Sequence, residues 1–473
     1  MSQLKPTSIF NMEDLMKKNR ESLSRRKFLQ LTSGLTAGAL LAACQPAPTE
    51  APKTAATQAP AATAAPKQPV KLRWWSGVAD ANGPANAVKA WNAANPDIQV
   101  EHVQYSNNDE GNVKLDTALM VAGEVDVAVT YGFNRWQKRI QAGLFEPLDN
   151  YLKGFDPEKE FGKLPMKING KVWGFIAQAQ PWFVFINKKM FEEKGIKVPA
   201  AWTWDEFRDI GMKLTSGTGA QKRYGAFISQ VMGLGMVSYV KGGDWMFKDE
   251  CTTAFDDPFV TRVMEQRVQY EQVDKFAYPR PEVLAGKLQE QSEFFQGKVA
   301  MVVIGSWFLR HTKNVKELPR DFQTTFAPLP TFPDVPFNYR PGGVDDDTSI
   351  SAKSPNKEAA YKFMKWWCTE GYLYMVQFGR PGTWKGLKTD EIIKAYQTDF
   401  ADFDKYVDAA ALKPIMESAK DFPVPTNMTA ASELGQIVSE EFEKAMLGES
   451  KPAAAAAAMK KRGDEVVAKV CKK

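Results

Sequence analysis

Short apolar runs alternate with helix-like segments in the first part of this chain. Residues 70–75 form a short strand-like run and residues 125–129 predict a buried strand, whereas residues 98–105 alternate apolar and polar positions as a half-buried strand does. Residues 85–94 and 111–122 have the spacing of helices. Strands separated by helices predict an α/β fold with a parallel-type sheet and helices on both faces.

Three segments follow predicted strands at the edge where α/β sheets bind ligands, beyond the carboxyl ends of the strands. Residues 75–80 and 130–136 follow the first and third predicted strands. Further on, an amphipathic helix ends at Phe295, residues 299–304 form a buried strand, and Trp307 comes just after it. An indole face at a cleft rim suits the apolar face of a pyranose ring. The alternative is a core tryptophan packed under a helix.

The amino-terminal 44 residues have the pattern of an export signal. Arg25 and Arg26, followed by Lys-Phe-Leu, resemble a twin-arginine signal, and the uncharged run 31–43 ends in Leu-Ala-Ala before Cys44, which resembles a lipobox. That run is shorter than the roughly 20 apolar residues that span a bilayer. We therefore expect residues 1–43 to be removed and Cys44 to become a lipidated first residue. A retained membrane helix is the alternative.

Composition after Cys44 predicts a tether and then a globular protein. Residues 44–69 are mostly Ala, Pro, Thr, Gln and Lys, which predicts a disordered spacer. The chain is +5 overall, but residues 1–43 hold seven basic and three acidic residues, so the mature protein is near +1 and its charge does not indicate nucleic acid. With Cys44 lipidated, Cys251, Cys368 and Cys471 allow at most one disulfide. Several of the 13 tryptophans lie beside Gly, Pro or Asp, which predicts surface or cleft positions.

Five sequence blocks resemble one known family. They are Phe-Gln-Gly-Lys-Val-Ala-Met at 295–301 with Gly-Ser-Trp at 305–307, Gly-Lys-Val-Trp-Gly at 170–174, and matching positions within 187–207, 242–258 and 354–363. In this order and spacing they resemble the extracellular solute-binding proteins of bacterial ABC importers, in particular the maltose-binding-like family that takes sugars.

The resemblance implies a two-lobed periplasmic-binding-protein-like fold with a hinge and a ligand cleft between the lobes. Lobe 1 would comprise residues 70–177 and 347–384, and lobe 2 residues 178–346 and 385–473. The segment from 446 to 470 predicts helix with a break near Pro452, because alanine has the highest helix propensity.

The resemblance also implies which residues face the ligand. The candidates are Trp75, Ser76, Asp80, Tyr131, Phe133, Gln180, Trp182, Gln230, Trp245, Trp307, Gly343, Asp345, Arg380 and Trp384. Gln180 is an amide where family members often place an acidic sugar contact, which leaves the identity of the sugar open. The Asp run 345–347 has two interpretations, a cleft position for Asp345 or a solvated loop. Two histidines and no paired cysteine spacing predict no metal site and no cofactor.

The predicted function is that of a substrate-binding lipoprotein. It would be a monomer on the extracytoplasmic face of the cell membrane that captures a mono- or oligosaccharide by hinge closure and delivers it to membrane permease subunits. A polyamine or other small solute is the alternative, because Asp80 and residues 345–347 accompany many aromatics. A phosphorylated ligand would need several basic cleft residues, and the candidates include only Arg380. No motif predicts a secreted glycosidase, so we expect no enzyme. A surface lipoprotein without a transport ligand is the third class.

Overall fold

The computed structural model describes residues 68–418, 420–427 and 429–471. The predicted signal segment 1–43, with Arg25 and Arg26, lies outside the described residues, and so do Cys44 and nearly all of the predicted tether. Within the described residues, no helix combines the length and the hydropathy that crossing a membrane requires.

The first strands form where the apolar pattern predicts them. Val70–Ser76 (β1) pairs in parallel with Ile98–Gln104 (β2) and with Val127–Thr130 (β3). The helix Pro84–Ala94 connects β1 to β2, and Asp109–Leu119 connects β2 to β3. The carboxyl ends of the three parallel strands therefore lie along one edge of the sheet.

Two long strands connect this sheet to a second set of strands. Phe175–Asn187 (β6) and Gly342–Ile350 (β12) pair antiparallel, with Gly343 opposite Gln180. The remaining strands are Lys167–Ile168 (β4), Lys171–Val172 (β5), Tyr224–Ile228 (β7), Phe247–Asp249 (β8), Thr252–Thr253 (β9), Val299–Gly305 (β10) and Thr324–Pro328 (β11). The large sheet has the order β2-β1-β3-β12-β6-β10-β7, and β11 also pairs with β6.

The sheet is mixed rather than parallel throughout, which corrects one expectation. β10 runs parallel to β7, but β12 is antiparallel to β3, and β6 is antiparallel to β12, β10 and β11. The helix-strand alternation that predicts parallel strands is confined to residues 70–130, and it carries no information on the direction of strands contributed by later segments.

Helices cover both groups of strands. The longer helices are Pro84–Ala94, Asp109–Leu119, Phe133–Gln141, Trp204–Leu214, Pro258–Val268, Lys357–Cys368, Thr389–Gln397, Ala431–Met446 and Pro452–Cys471. The shorter helices are Pro157–Phe161, Lys188–Glu193, Gly235–Lys241, Arg280–Gly286, Glu290–Phe295, Leu309–Lys313, Leu373–Val376, Phe403–Tyr406 and Ala409–Met416.

Three clusters of buried apolar side chains form the cores. The first draws its residues from 72–177 and 350–375. The second and third draw theirs from 182–337 and 396–467, on the two faces of the strand group around β10. β6 contributes Ala177 to the first core and Trp182 to the second, so one strand continues from one core into the other. The lobe boundaries proposed from the sequence stay a prediction.

The carboxyl-terminal helices confirm the predicted break near Pro452. Ala431–Met446 and Pro452–Cys471 are separate helices, and Met459 and Val467 of the last helix are fully buried in the second core. A disulfide joins Cys251 to Cys471 and fastens the end of this helix beside β9. Cys368 is buried and free, so the described part of the chain contains the one disulfide that the cysteine count allows.

Candidate ligand-binding site

A cavity of about 580 Å³ lies at the strand ends that the sequence singles out. Its lining comes from the ends of β1, β2 and β3, from β6 and β12, and from the segments that follow β7, β10 and the helix Leu373–Val376. The lining residues are Gly77, Val78, Ala79, Asn82, Gln104, Asn107, Tyr131, Gln180, Val231, Trp307, Arg310, Asp345, Phe378 and Arg380. The structure thus brings together five of the predicted ligand contacts, Tyr131, Gln180, Trp307, Asp345 and Arg380.

Trp307 presents a half-buried indole to this cavity. It lies in the turn Ser306–Phe308, directly after β10, and the ring of Trp182 packs edge-on against it with the ring centres 5.2 Å apart. Gly305 lets the indole lie against the end of the strand, because a Cβ there would be 1.9 Å from Cζ3 of Trp307. Both interpretations of this residue are therefore partly met, since the ring packs on the core and also lines the cavity.

Tyr131 and the loop after β1 form another part of the wall. Gly77 N donates a hydrogen bond to Tyr131 Oη over 3.1 Å. A Cβ on Gly77 would lie 2.7 Å from Cε2 of the same ring, so a glycine is needed for this close approach. Burial, and next the charge of Asp346, raise the pKa of Tyr131 well above its ordinary value, so its hydroxyl stays neutral and able to donate.

Asp345 and Gln180 form a polar pair at the junction of β12 and β6. Gln180 Nε2 donates to Asp345 Oδ2 over 3.2 Å, and Gly132 N donates to Asp345 Oδ1 over 2.9 Å. Burial, followed by the neighbouring Asp346 carboxylate, raises the pKa of Asp345 to about 6. Near neutral pH this carboxylate accepts hydrogen bonds, as a hydroxyl-rich ligand requires.

The three consecutive aspartates have three different environments, which corrects the solvated-loop interpretation. All three lie in β12, and only Asp345 lines the cavity. Asp346 is 2% exposed and is paired with Arg380, while Asp347 is buried with its Oδ2 atom lacking a hydrogen-bond partner. Burial is the largest cause that raises the pKa of Asp347 well above its ordinary value. The aspartate run lies in the interior here because Asp346 is paired with Arg380 and burial favours the neutral form of Asp347.

Arg380 forms the charged centre of a buried network. Its Nη2 atom donates to Asp346 Oδ1 and to Gln178 Oε1, both over 2.7 Å, and Tyr372 Oη donates to Asp346 Oδ2 over 2.5 Å. Burial lowers the pKa of Arg380, but the Asp346 carboxylate outweighs it and the pKa is raised overall. Within residues 68–418, 420–427 and 429–471, no three His, Cys, Asp or Glu side chains converge on a position that could hold a metal ion.

Arg310 is a charged lining residue that the sequence reasoning missed. It lies three residues after Trp307, in the helix Leu309–Lys313 that continues directly from the turn Ser306–Phe308, and both residues line the cavity. Its Nε atom donates to His311 Nε2 over 3.2 Å. Burial, followed by the charge of Arg310, lowers the pKa of His311 to about 4, so the imidazole is neutral. The helical i, i+3 spacing from Trp307 was the signal that could have identified Arg310.

The other predicted contacts do not line the cavity. These residues are Trp75, Ser76, Asp80, Phe133, Trp182, Gln230, Trp245, Gly343 and Trp384. Trp75 is buried and donates to the Glu124 carbonyl, and Trp245 packs edge-on against Phe255. Phe133 packs against Trp136.

The tryptophans are more deeply buried than the sequence predicts, since it predicts surface or cleft positions for several of these residues. Eight of the 13 tryptophans are buried, and Trp307 is the one that lines the cavity. Trp384 is partly buried in the first core and donates to Glu160. A neighbouring Gly, Pro or Asp therefore does not indicate exposure here, because most of the buried rings belong to strands and helices that pack on the cores.

One hydrogen-bonded set has the order of a nucleophilic triad, Ser76, His102 and Asp80. Ser76 Oγ lies 2.8 Å from His102 Nε2, and His102 Nδ1 lies 2.6 Å from Asp80 Oδ1. Ser76 is only 2% exposed, and its Oγ also accepts a hydrogen bond from Val78 N. A nucleophile must reach its substrate, and this hydroxyl does not line the cavity. The set instead braces the loop 77–82, which does line the cavity.

Comparisons with known proteins agree with this architecture. Residues 75–373 match the family of bacterial extracellular solute-binding proteins. A putative binding protein of Brucella abortus is 25% identical over 379 residues, which are 77% of this chain and 84% of the relative. A sugar transporter of Rhizobium etli, in an open conformation, superposes with a TM-score of 0.66 at 20% identity, covering 83% of this chain and 98% of its own. A receptor of Streptomyces glaucescens, solved unliganded and with acarbose, superposes with a TM-score of 0.64 at 20% identity, covering 84% of this chain and 98% of its own. The predicted two-lobed α/β fold is confirmed.

Proposed function

Because the chain belongs to the family of bacterial extracellular solute-binding proteins, we propose that it captures a carbohydrate and delivers it to the permease of an ABC importer. Proteins of this family are exported, and they bind solutes instead of catalysing reactions. The sequence resemblance and the fold support this proposal together. Solved proteins of the same fold include a sugar transporter and a receptor in complex with acarbose.

The indole of Trp307 at the cavity wall is the observation that carries the proposal. An aromatic face binds the apolar face of a pyranose ring, while neighbouring polar groups bind its hydroxyls. The cavity offers such groups in its amides, Asn82, Gln104, Asn107 and Gln180, and in the Asp345 carboxylate. A volume of about 580 Å³ is of the size that holds a small-molecule ligand.

Hinge closure is the proposed mode of capture. Lining residues such as Tyr131 come from the strand group of the first core, whereas Trp307 and Arg310 follow β10, in the other group. A solute that contacts both groups stabilises the state in which both are close, because those contacts do not all form when the groups are apart. A permease would then recognise the closed surface.

The polyamine alternative has less support than a carbohydrate. A polyamine is a cation and requires carboxylates that are free to pair with it. Among the described residues, the charged ones that line the cavity are two arginines, Arg310 and Arg380, and one aspartate, Asp345. The Asp346 carboxylate is already paired with Arg380. The Arg310 guanidinium, which pairs with no carboxylate of the described residues, would repel a polyamine.

Lipid anchoring through Cys44 and export directed by Arg25 and Arg26 complete the proposal. The disulfide between Cys251 and Cys471 supports an oxidising location, where such bonds persist. Metabolic labelling with a radioactive fatty acid would test the anchor. We expect incorporation into the wild-type protein and none into Cys44→Ser, and equal labelling of both would contradict the lipobox interpretation.

Tryptophan fluorescence and thermal melting of the exported protein would test the binding function. The panel contains mono- and oligosaccharides, polyols, polyamines and glycerol phosphates. We expect a saccharide to shift both signals saturably, by about 2.7 kcal/mol in stability at 100 times its dissociation constant. Trp307→Ala should abolish the response, whereas Trp366→Ala, which removes a half-buried indole packed on Trp91 and absent from the cavity lining, should keep it. A response to polyamines alone, or to nothing in the panel, would overturn the proposal.

A further inference from the structure

Arg310 is a half-buried cation in the cavity wall that the described residues do not neutralise. Its guanidinium forms no ion pair with any carboxylate of residues 68–418, 420–427 and 429–471, and the His311 ring that it contacts is neutral. Burial, followed by repulsion from Arg380, lowers the pKa of Arg310, and no carboxylate contributes a compensating rise. Arginine nevertheless stays charged at physiological pH.

The aspartates near the cavity are already engaged elsewhere. Asp345 accepts hydrogen bonds from Gly132 N and from the Gln180 amide, one on each oxygen. Asp346 binds Arg380 with one oxygen and Tyr372 with the other. Neither carboxylate is an ion-pair partner of Arg310. Removing a charge from water without a partner is costly, so the missing counter-charge is expected to come with the ligand.

We propose that the solute carries an anionic oxygen group, a carboxylate or a phosphate, that pairs with the Arg310 guanidinium. This inference rests on the proposed function and narrows it to an acidic saccharide, whose ring packs on Trp307 and whose hydroxyls bind Asp345 and Gln180. Arg310 follows Trp307 by one helical turn, so a sugar ring on the indole brings its substituents toward the guanidinium. A planar guanidinium fork binds carboxylate and phosphate oxygens through two hydrogen bonds, which a neutral hydroxyl cannot match.

The rest of the charge distribution supports an anion in this orientation. Repulsion from Arg380 reaches Arg310, but Arg380 is paired with Asp346, so among the described lining residues Arg310 is the cation that lacks a carboxylate partner. Asp345 supplies negative charge, and an anionic group would avoid it. An acidic sugar whose anionic group faces Arg310 and whose hydroxyls face Asp345 gives each of these two side chains a suitable partner.

Isothermal titration calorimetry with three classes of probe would test the proposal. The probes are trigalacturonate as a carboxylate sugar, glucose 6-phosphate and glycerol 3-phosphate as phosphates, and maltotriose and cellotriose as neutral sugars, each with the purified exported protein. The variants are Arg310→Gln, which removes the charge, and Arg310→Lys, which keeps the charge without the planar fork. Unliganded melting curves check that both variants fold.

We expect an acidic probe to bind at least about tenfold more tightly than the neutral sugars, with an affinity that falls as salt is raised. Arg310→Gln should weaken that probe by about 10- to 100-fold, the range that a hydrogen-bonded charge contributes, and Arg310→Lys should recover part of the loss. Neutral sugars should lose distinctly less affinity than the acidic probe in either variant. The carboxylate and phosphate probes show which group the site takes.

Equal binding of acidic and neutral sugars, with equal losses in Arg310→Gln, would overturn the anionic inference and leave the carbohydrate proposal standing. Arg310-dependent binding of glycerol 3-phosphate without any saccharide would support the anion and overturn the carbohydrate. If none of the probes binds, the anionic inference and the carbohydrate proposal are both overturned.

Discussion

The buried pair of Asp346 and Arg380 yields the sharpest stability prediction. Asp346 is 2% exposed, and the side chain of Arg380 is 12% exposed. Asp346→Asn removes the counter-charge and leaves the guanidinium with uncharged acceptors, the oxygen of the new amide and Gln178 Oε1. Breaking a buried ion pair on one side costs about 3–5 kcal/mol, because the other charge stays buried and unpaired. We expect the free energy of unfolding to fall by that amount.

Asparagine is the suitable replacement for this position. Asp346 has a φ of 59°, in the left-handed region that asparagine tolerates better than other residues with a side chain. Backbone strain therefore contributes little to the predicted loss. The double variant Asp346→Asn/Arg380→Met removes both charges, and we expect it to be more stable than Asp346→Asn alone, because an apolar pair avoids the unpaired charge.

Urea unfolding followed by tryptophan fluorescence and circular dichroism would measure these differences. Asp334→Asn is the matched control, because Asp334 also binds an arginine, Arg262, through two hydrogen bonds, but in an exposed position. The control should leave the urea midpoint nearly unchanged. A loss below about 1 kcal/mol for Asp346→Asn, or a double variant with the summed losses of the singles, would refute the reasoning about the buried charge.

Three further predictions follow from the fold and the cavity. Reducing the disulfide, or replacing Cys251 and Cys471 with serine, should lower the free energy of unfolding in urea by about 2–5 kcal/mol, because the bond closes a sequence separation of 220 residues. An unchanged urea midpoint would contradict this. The pKa of Asp345 is raised from 3.8 to about 6, so the stability that its protonated form gives is complete below 3.8 and lost as pH rises through about 6. Melting temperatures of the wild type relative to Asp345→Asn should therefore fall across that window, and a rise would be evidence against the shift. Gly305→Ala should displace the Trp307 ring and weaken saccharide binding about five- to tenfold by calorimetry, whereas unaltered affinity would argue against the stacking role.

Local patterns predicted much of the fold. The strands at 70–76 and 98–104 and the helix that connects them follow from apolar spacing and from Pro96, all of which act within a few residues. The position of Trp307 beyond the end of β10 follows from Gly305 and the apolar run before it. These features need no knowledge of distant contacts.

The remaining parts of the site depend on contacts between distant segments. The interior position of residues 345–347 requires Arg380 and Tyr372, which lie 34 and 26 residues away from Asp346 in the chain. Phe378 reaches the cavity only because its segment packs back against the helix after β10. Arg310 was within reach of a helical-spacing argument, but its missing counter-charge is visible only when every nearby carboxylate has been assigned a partner.

The two strands that join the cores, β6 and β12, have a mechanical consequence. They run side by side and are hydrogen-bonded to each other from Pro181 and Gly342 to Phe175 and Thr348. Such a ribbon bends and twists more readily than it stretches, so we expect it to serve as a flexure between the two groups of strands. The proposed opening and closing would then be a change in the angle of this bend. A pair of dyes on the outer surfaces of the two lobes would report that angle, and with it the occupancy of the cavity, without any label touching the ligand.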